Sequence, residues 1–302
     1  MELVTPTPAR PAVVLGEGMI ELSGVGIDAC GLGVAGDSYN TAVYLARGGV
    51  PVAYATCLGD EAFSDRIQDA LTAEGIDARH VLRREGGTPG LYAVTLDEHG
   101  ERSFTYWRSA SAARSMFRTP GWSEVARGAA AAPLLYLSGI TLSLFGEEDR
   151  EHVSALAAGV REAGGAVAFD TNYRPRGWSS RGEAAEAIER FARHVSLALP
   201  TFEDDQALFG DSAPEHARDR WLDWGAAEVV VKHGPEGALL SGEGWVPPPE
   251  RVSPIDTTGA GDSFNGAYLA ARLQGLPPRE AATAGHRLAA RVLTTPGAIL
   301  PR

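Results

Sequence analysis

Near its C-terminal end the chain reads Asp256-Thr257-Thr258-Gly259-Ala260-Gly261-Asp262-Ser263-Phe264, a short loop followed by a helical pattern. The small residues of this loop let the backbone turn sharply and bring its N–H groups close to an anion. Apolar residues recur at helical spacing from Phe264 onward, which predicts a helix that starts near Asp262. Because a helix N-terminus carries unpaired N–H donors and a partial positive charge, the loop suits a phosphate.

Asp262 stands where the loop becomes the helix, and two roles are open to it. A carboxylate there can accept a proton from a hydroxyl placed beside the phosphate, as a general base does. The alternative is a helix N-cap, a role in which Asp is common and which needs no catalysis. We expect the helix N-terminus to favour the ionised carboxylate. A phosphate-binding loop and a base together indicate phosphoryl transfer to an alcohol.

Composition and charge narrow the class of protein. The 302 residues are 44% hydrophobic and 22% charged, which is typical of a soluble globular protein. The formal charge of −12 argues against nucleic acid or an anionic membrane as a partner, and any anionic substrate needs a local group of Arg or Lys. Cys30 and Cys57 form no C-x-x-C pair, which gives no support to a zinc site and fits a cytoplasmic protein. No apolar run reaches the roughly 18 residues of a membrane span.

Short apolar runs alternate with helical patterns, which predicts an α/β fold with a doubly wound, mostly parallel sheet flanked by helices. The predicted strands are Ala12–Leu15, Val52–Thr56, Leu134–Leu137, Val167–Phe169, Leu197–Leu199 and Val229–Val231. The predicted helices are Ser38–Arg47, Glu61–Ala73, Glu147–Ala163, Glu183–Arg193, Glu203–Phe209, Ala213–Trp224, Asp262–Leu273 and Pro278–Leu293. We expect a single domain over residues 12–302, preceded by a flexible tail at residues 1–11.

Two stretches interrupt this alternation. Residues 21–34 are rich in glycine, and residues 88–108 alternate like exposed strands around a turn at Asp97-Glu98-His99-Gly100. Such a pattern suits a hairpin better than a buried parallel strand. We expect these stretches to form a small β-strand lid, the kind of element that excludes water from an active site. A peripheral meander without a gating role is the alternative.

Two common nucleotide-binding motifs are missing. The sequence contains no G-x-x-x-x-G-K-[ST] loop, which argues against a P-loop enzyme. After the first predicted strand, Gly16-Glu17-Gly18-Met19 lacks the third glycine of a dinucleotide-binding fingerprint, which argues against a nicotinamide oxidoreductase.

The complete Asp256–Phe264 string resembles the signature of the ribokinase-like (PfkB) sugar kinases. The resemblance implies an ATP-dependent kinase in which Asp262 is the catalytic base and the amides of Gly259, Ala260 and Gly261 form an anion hole. It also implies Mg²⁺ as a cofactor and a monovalent cation such as K⁺ near Asp256–Thr258. The residues that it places beside the nucleotide are Lys232, Gly234, Gly237 and Thr258. From the residues alone, a β-turn between strands is the favoured interpretation of Val231–Ala238.

The same resemblance suggests where magnesium is organised. The family usually carries N-x-x-E after a strand, and here Thr201 and Asp204 stand at the positions of the Asn and the Glu. Glu203 and Asp204 are therefore the metal candidates. Acidic residues in a first helical turn are also ordinary partners of the helix dipole.

Substrate-binding residues are expected in the first half of the chain. Gly36, Asp37 and Asn40 resemble the G-G-D-x-x-N sugar-binding element of the family, although Ala35 replaces its first glycine. Further motifs resemble the 2-keto-3-deoxygluconate kinase subgroup, whose substrate-holding residues correspond to Tyr92, Tyr106, Arg108 and Arg174. The chemistry agrees, because the planar fork of Arg binds the carboxylate of a sugar acid bidentately.

The resemblance therefore implies phosphorylation of the terminal hydroxyl of 2-keto-3-deoxygluconate. A kinase of the same family that acts on ribose or fructose, and a noncatalytic sugar- or nucleotide-binding relative, are the alternatives. The family also often pairs through its lid strands, so a homodimer or higher homo-oligomer is an expectation.

Overall fold

The chain alternates strands and helices, and its strands form a large central sheet and a separate small one. The structure is a computed structural model that describes residues 1–24, 30–96 and 102–302. The strands in these ranges are β1 (Ala12–Leu15), β2 (Met19–Ser23), β3 (Gly31–Ala35), β4 (Val52–Leu58), β5 (Val81–Arg83), β6 (Gly90–Leu96), β7 (Arg102–Trp107), β8 (Leu134–Ser138), β9 (Ala166–Asp170), β10 (Leu197–Ala198), β11 (Glu228–His233), β12 (Gly237–Leu240) and β13 (Gly244–Val246). The helices are α1 (Asp37–Arg47), α2 (Ala62–Ala73), α3 (Trp122–Ala130), α4 (Gly139–Ser143), α5 (Glu147–Glu162), α6 (Arg181–Ala192), α7 (Phe202–Phe209), α8 (Pro214–Asp223), α9 (Ala260–Leu273) and α10 (Pro278–Leu293).

The central sheet has the strand order β13-β12-β11-β10-β9-β8-β1-β4-β5. Neighbouring strands are parallel from β5 to β11, and β12 and β13 continue the sheet as antiparallel strands. The predicted mostly parallel sheet is confirmed, and each predicted strand and helix lies within one or two residues of an observed one.

Both faces of the central sheet are buried, which explains why its strands are continuous apolar runs. In β1, Val13 and Leu15 pack into a core with α3, α5, α6 and α8. Ala12 and Val14, on the other face, pack into a second core with α1, α2, α9 and α10. Successive side chains of a strand point to opposite faces, so every residue of β1 must be apolar.

The second sheet, called the lid here, has the strand order β3-β2-β6-β7. Strand β2 pairs parallel with β6, and the other pairs are antiparallel. The lid has its own small core around Met19, Tyr92 and Val94. The prediction of a separate β element is confirmed in the described residues, although β2 begins at Met19 and not at Glu21. The turn expected at 97–100 lies outside the described residues.

A few backbone groups of residues 1–11, the segment predicted to be a flexible tail, contact the domain, although most of these residues are exposed. The Met1 carbonyl accepts a hydrogen bond of 2.6 Å from Arg272 Nη2. Pro6 is buried, and the Arg79 guanidinium donates to the Pro8 carbonyl at 3.2 Å. Prolines and polar residues gave no apolar pattern from which these backbone contacts could be predicted.

Several parallel strands end beside one another at the edge where open α/β sheets bind ligands. Glu17 follows β1, Ser138 ends β8, Asp170 ends β9 and Lys232 lies near the end of β11. None of the described helices is long and apolar enough to cross a bilayer.

Candidate active site

Asp262 lies in the first turn of α9, and the preceding loop has the sharp turn that the sequence predicted. Gly259, the N-cap, has φ 74°, and a Cβ there would lie 2.7 Å from the Ala298 Cβ. Both observations explain why this position is glycine. A Cβ at Gly261 would lie 3.7 Å from Lys232 Nζ, so the loop faces a lysine ammonium. The Ala260 N–H donates to the Thr257 carbonyl at 3.3 Å, so one of the predicted anion-hole amides is engaged within the loop.

Asp262 is 9% exposed, and its Oδ2 accepts a hydrogen bond of 2.8 Å from Asn40 Nδ2. Burial, reinforced by the nearby Asp37 carboxyl, raises the pKa of Asp262 from 3.8 to about 8. The expectation that the helix N-terminus would keep this carboxyl ionised is therefore wrong for the ligand-free protein. Loss of solvent and a neighbouring acid outweigh the helix dipole.

Asp37 and Asn40 lie in the first turn of α1, which meets the first turn of α9. Gly36 precedes them with φ 137°, and a Cβ there would lie 2.5 Å from the Glu17 carbonyl oxygen. Asp37 Oδ2 accepts hydrogen bonds from Ser138 Oγ and from Asn172 Nδ2. Burial raises the pKa of Asp37, while the Ser138 hydrogen bond and Arg108 oppose this change. The predicted sugar-binding element and the predicted base thus belong to one site.

Lys232 is buried in a polar network beneath the loop. Its Nζ donates to Asp170 Oδ2 at 2.7 Å and to Asn265 Oδ1 at 3.0 Å. Asn265 Nδ2 donates to the same Asp170 oxygen at 2.6 Å. The ion pair with Asp170 offsets the cost of burying the ammonium. Lys232 is therefore held in a fixed position beside Gly261.

A cleft of about 480 Å³ opens next to this loop. Apolar side chains such as Phe264, Ala289 and Leu293 form much of its lining. Such a lining with a few polar groups suits a flat aromatic ligand. Three of the four predicted nucleotide-binding residues line it, namely Lys232, Gly234 and Gly237. Thr258 does not, since it lines a separate cavity with Glu21 and Val94 of the lid.

The lid tyrosines that the sequence singled out are neighbours on β6 and β7. Tyr92 and Tyr106 are register partners with ring centroids 5.7 Å apart. Tyr92 is buried, and its hydroxyl donates to Glu21 Oε2. Tyr106 is 46% exposed, so it retains a surface for a ligand or for a second chain.

Both predicted carboxylate-binding arginines already have an acidic partner. Arg108 Nη2 lies 2.5 Å from Oε2 of the buried Glu17. Arg174 Nη1 donates to Asp204 Oδ1 at 2.9 Å and to the Tyr173 carbonyl at 2.7 Å. The local positive charge expected from these arginines is therefore partly balanced by acidic neighbours. Each nevertheless has donors left over: Arg108 Nε is buried without a hydrogen-bond partner among the described residues.

The two metal candidates are likewise engaged. Glu203 Oε1 lies 2.9 Å from His233 Nδ1, and Asp204 pairs with Arg174. The next acid, Asp205, is fully buried and bonds Trp221 Nε1 and Arg220, so its role is structural. Across the described ranges, no group of three acidic, His or Cys side chains is placed to hold a metal ion. Magnesium commonly binds through one or two carboxylates together with nucleotide phosphates, and this arrangement allows that mode.

Four residues of the site were not predicted as site residues from the sequence: Glu17, Ser138, Asp170 and Asn265. Each lies at a strand end or on the inner face of α9. The strand ends gave a signal, because Ser138 and Asp170 are the first polar residues after apolar runs. Glu17 gave the same signal, because it is the first polar side chain after the apolar run of β1, whereas Asn265 gave none.

Comparison with known proteins places this geometry in a family. Residues 12–302 match the pfkB family of carbohydrate kinases. The chain is 40% identical to the 2-dehydro-3-deoxygluconokinase of Escherichia coli strain K12 over 97% of this chain and 98% of that protein. It is 35% identical to the Haemophilus influenzae enzyme of the same name, over 95% of each chain.

A solved structure shares the architecture. The fructokinase of Vibrio cholerae O395 with bound fructose, ADP and calcium superimposes with a TM-score of 0.81, at 26% identity and with coverage of 97% of this chain and 95% of that one. The predicted fold class and the resemblance to PfkB kinases are thereby confirmed. The chain belongs to the pfkB family of carbohydrate kinases and is a phosphotransferase that acts on a sugar hydroxyl.

Proposed function

We propose that this kinase transfers the γ-phosphoryl group of ATP to the terminal hydroxyl of 2-keto-3-deoxygluconate, which gives 2-keto-3-deoxy-6-phosphogluconate. The observation that carries the proposal is the convergence of the Asp262 carboxyl with the two arginines. Arg174 interacts electrostatically with Asp262, and Arg108 does so with Asp37. A base and two guanidinium groups at one sheet edge suit a substrate with a hydroxyl at one end and a carboxylate at the other. The names of relatives 35–40% identical over nearly the whole chain support the same substrate.

Asp262 acts as the general base. Its carboxyl accepts the proton of the substrate hydroxyl as that oxygen bonds to phosphorus, and Asn40 holds the carboxyl in position at 2.8 Å. A pKa near 8 makes Asp262 a stronger base than an ordinary aspartate, because a base is most effective when its pKa lies close to the working pH. Phosphoryl transfer depends mainly on positioning and charge stabilisation, so the fixed geometry of this carboxyl matters as much as its basicity.

Residues of the loop and of the cleft would hold the nucleotide. The adenine ring suits the apolar lining near Phe264 and Leu293, and the phosphates suit the Gly259 and Gly261 amides opposite Lys232. Magnesium, when bound to those phosphates, neutralises charge on the transferred group. Asp204 and Glu203 are the carboxylates that would contact it or its waters. A potassium ion near Asp256–Thr258 remains part of the proposal.

The sugar-acid carboxylate would bind to guanidinium edges that the protein leaves open. Arg108 uses Nη2 for Glu17, and its Nε–H is buried without an acceptor in the described residues. Arg174 makes both of its hydrogen bonds through Nη1. A buried donor without an acceptor is costly, so a substrate carboxylate gains affinity by accepting from it. A neutral sugar offers no charged acceptor.

The test is ATP-dependent phosphorylation by the purified protein across a small panel with magnesium and potassium present. The panel contains 2-keto-3-deoxygluconate, its galacto epimer, ribose, fructose and a control without sugar. We expect kcat/KM to be highest for the keto-deoxy acids. A preference for ribose or fructose would keep the fold and Asp262 but remove the assignment of Arg108 and Arg174. Nucleotide binding without turnover of any sugar would favour the noncatalytic alternative.

Variants of the two arginines test the carboxylate assignment directly. Arg108→Ala and Arg174→Ala should raise KM for a sugar acid at least about tenfold, the expected effect of losing a hydrogen bond to a charged group. KM for a neutral sugar should change much less. Arg127→Ala is the matched control, because its side chain is 76% exposed on α3 and contacts only its helix neighbours Glu124 and Ser123 among the described residues. Equal effects on acid and neutral sugars would exclude a carboxylate-binding role.

The lid also supports a proposed homodimer. β7 is an edge strand, and Tyr106 and Trp107 on it are 46% and 57% exposed. Exposed aromatic residues on an unpaired strand edge are typical of a pairing surface. Light scattering after size-exclusion chromatography should give twice the monomer mass for the wild type. The Trp107→Lys variant should have the mass of a monomer. A wild-type protein that stays monomeric at high concentration would contradict this proposal.

A further inference from the structure

A second polar cavity, of about 340 Å³, lies beside the segment that connects the lid to the α/β domain. Its lining includes Arg84, Arg114, Arg118, Ser111, Ser115 and Asp149. We call it the arginine pocket. It shares no lining residue with the nucleotide cleft or with the cavity next to Thr258. It is therefore a separate feature of the surface.

Positive charge is in excess in the arginine pocket. Three of its lining residues are arginines and one is an acid, Asp149, so its formal charge is +2 within a chain of −12. Asp149 forms an ion pair with Arg118, whose Nη2 lies 2.5 Å from Asp149 Oδ2. Arg84 Nη1 donates to a neutral group, Ser115 Oγ, at 3.0 Å. The remaining cations have no acidic partner inside the pocket.

Arg114 is the most exceptional of them. It is half-buried, and among the described residues its side chain has neither a hydrogen bond nor an ion pair. Burial lowers the pKa of Arg114. The positive charges of Arg108 and Arg150 lower it further, whereas the negative charge of Glu17 raises it. Burying an unpaired charge is costly, so this guanidinium is stabilised by any anion that enters the pocket.

Ser111 provides a second unmet donor. It is 3% exposed, and its hydroxyl has no hydrogen-bond partner in the part of the chain that the structure describes. Buried hydroxyls are normally bonded, and an exception at the wall of a charged cavity indicates that a ligand or water completes it. The unpaired guanidinium and the unpaired hydroxyl therefore point to the same kind of occupant, an acceptor with negative charge.

We propose that the arginine pocket binds a small phosphate monoester or inorganic phosphate. A phosphate dianion matches the +2 charge of the lining, and its oxygens accept from guanidinium forks and hydroxyls at once. The cavity leaves room for a few carbon atoms beyond the phosphate. This assignment is independent of the sugar that the kinase phosphorylates.

The position of the pocket links it to the lid. Residues 109–111 follow Arg108 directly, all three line the pocket, and the Ser111 N–H donates to the Arg108 carbonyl at 3.3 Å. An anion that fixes this segment also fixes the base of Arg108. Phosphate binding therefore changes the affinity for the acceptor sugar, and by thermodynamic linkage the sugar changes the affinity for phosphate equally. This second step rests on the proposed role of Arg108.

Isothermal titration calorimetry on the full chain tests the site. ADP and magnesium fill the nucleotide cleft first, and inorganic phosphate or glycerol 3-phosphate is then titrated. We expect one additional site in the wild type, and binding at least about tenfold weaker in Arg114→Gln and Arg84→Gln. Arg127→Gln, on the exposed face of α3, should bind as the wild type does. Comparing the Kd of glycerol 3-phosphate with that of inorganic phosphate shows whether the ester carbons contribute to binding.

Either of two results overturns the proposal: no phosphate binding by the wild type, or unchanged binding in both pocket variants. Arg84→Gln decides the question if Arg114→Gln fails to fold. Kinetics then test the link to the lid. KM for the acceptor sugar should change severalfold with phosphate in the wild type but not in Arg84→Gln, and phosphate that binds without this change would refute the coupling. Failure of the proposed sugar specificity would leave the calorimetric result unaffected.

Discussion

Replacing Asp262 by Asn should remove a pH-dependent loss of stability that the wild-type protein carries. Burial and the neighbouring Asp37 raise the pKa of Asp262 from 3.8 to about 8. In the unfolded chain the carboxyl loses its proton near its ordinary pKa, whereas in the folded chain it keeps the proton up to about pH 8. Between these values the folded state binds more protons than the unfolded state, so the stability that this group contributes falls as the pH rises.

The size of the effect follows from the same values. Full linkage of one proton changes the free energy of unfolding by about 1.4 kcal/mol per pH unit. Because pH 5 and pH 7 both lie between 3.8 and about 8, Asp262 contributes a loss of about 3 kcal/mol between them. The amide of the Asp262→Asn variant has no proton to exchange and avoids this loss. The variant should therefore gain stability relative to the wild type by about that amount over the same interval.

Urea denaturation at pH 5, 6 and 7, without nucleotide or sugar, measures the difference. Asp223→Asn is the control, since Asp223 is exposed at the end of α8 and lies away from the site. The difference in unfolding free energy between Asp262→Asn and the wild type should grow with pH, whereas that for Asp223→Asn should stay constant. A constant difference for both variants would refute the assignment of a raised pKa to Asp262. Turnover by Asp262→Asn should fall roughly 10²–10⁴-fold, the usual contribution of a general base.

Three further outcomes follow from the geometry of the site. The kcat/KM of the wild type should rise with pH and level off above an apparent pKa of about 8, because the base works only when Asp262 is ionised; a profile already flat from pH 5 upward would contradict this. Gly36→Ala should lower the free energy of unfolding by more than about 1–3 kcal/mol, because φ is 137° and the new Cβ would lie 2.5 Å from a backbone oxygen. Gly75→Ala is the control. Gly75 has φ 73° and no atom within 4 Å of the new Cβ, so this variant measures the cost of the backbone conformation alone. Lys232→Met should lower the free energy of unfolding, measured by chemical denaturation, by about 3–5 kcal/mol, because it leaves the Asp170 carboxylate buried without its cation. Adding Asp170→Asn should restore much of that stability.

The fold was predictable because its periodicities are strong. Strands such as Ala12–Leu15 are apolar throughout, and only burial on both faces explains this pattern. Residues 88–108 of the lid alternate instead, and residues 21–34 are rich in glycine, which separated both stretches from the central sheet. The helices α3 and α4 and the strands β5, β12 and β13 were not predicted. Apart from α3, these segments have three to five residues and carry little periodicity.

The site was predictable where its chemistry is local in sequence. The glycine turn before Asp262 and the first turn of α1 each lie within a few residues, and the structure brings both together. The pairings Arg108–Glu17 and Arg174–Asp204 join residues 91 and 30 positions apart, and no short motif encodes them. The raised pKa of Asp262 is non-local for the same reason, because Asp37 is its main charged neighbour.

The charges of the site explain why both arginines are paired in the ligand-free protein. Its acidic groups outnumber its cations: Glu17, Asp37, Asp170, Asp204 and Asp262 against Arg108, Arg174 and Lys232. A sugar-acid anion therefore enters a region whose cations are already paired, and its carboxylate joins existing ion pairs instead of neutralising free cations. Under the proposed function, we expect selectivity for such a substrate to depend on donors that remain unsatisfied among the described residues, above all the Arg108 Nε–H. A neutral sugar has no charged acceptor for that donor. Burial, reinforced by the neighbouring Asp37 carboxyl, raises the pKa of Asp262 to about 8, so this base holds its proton near neutral pH in the ligand-free protein.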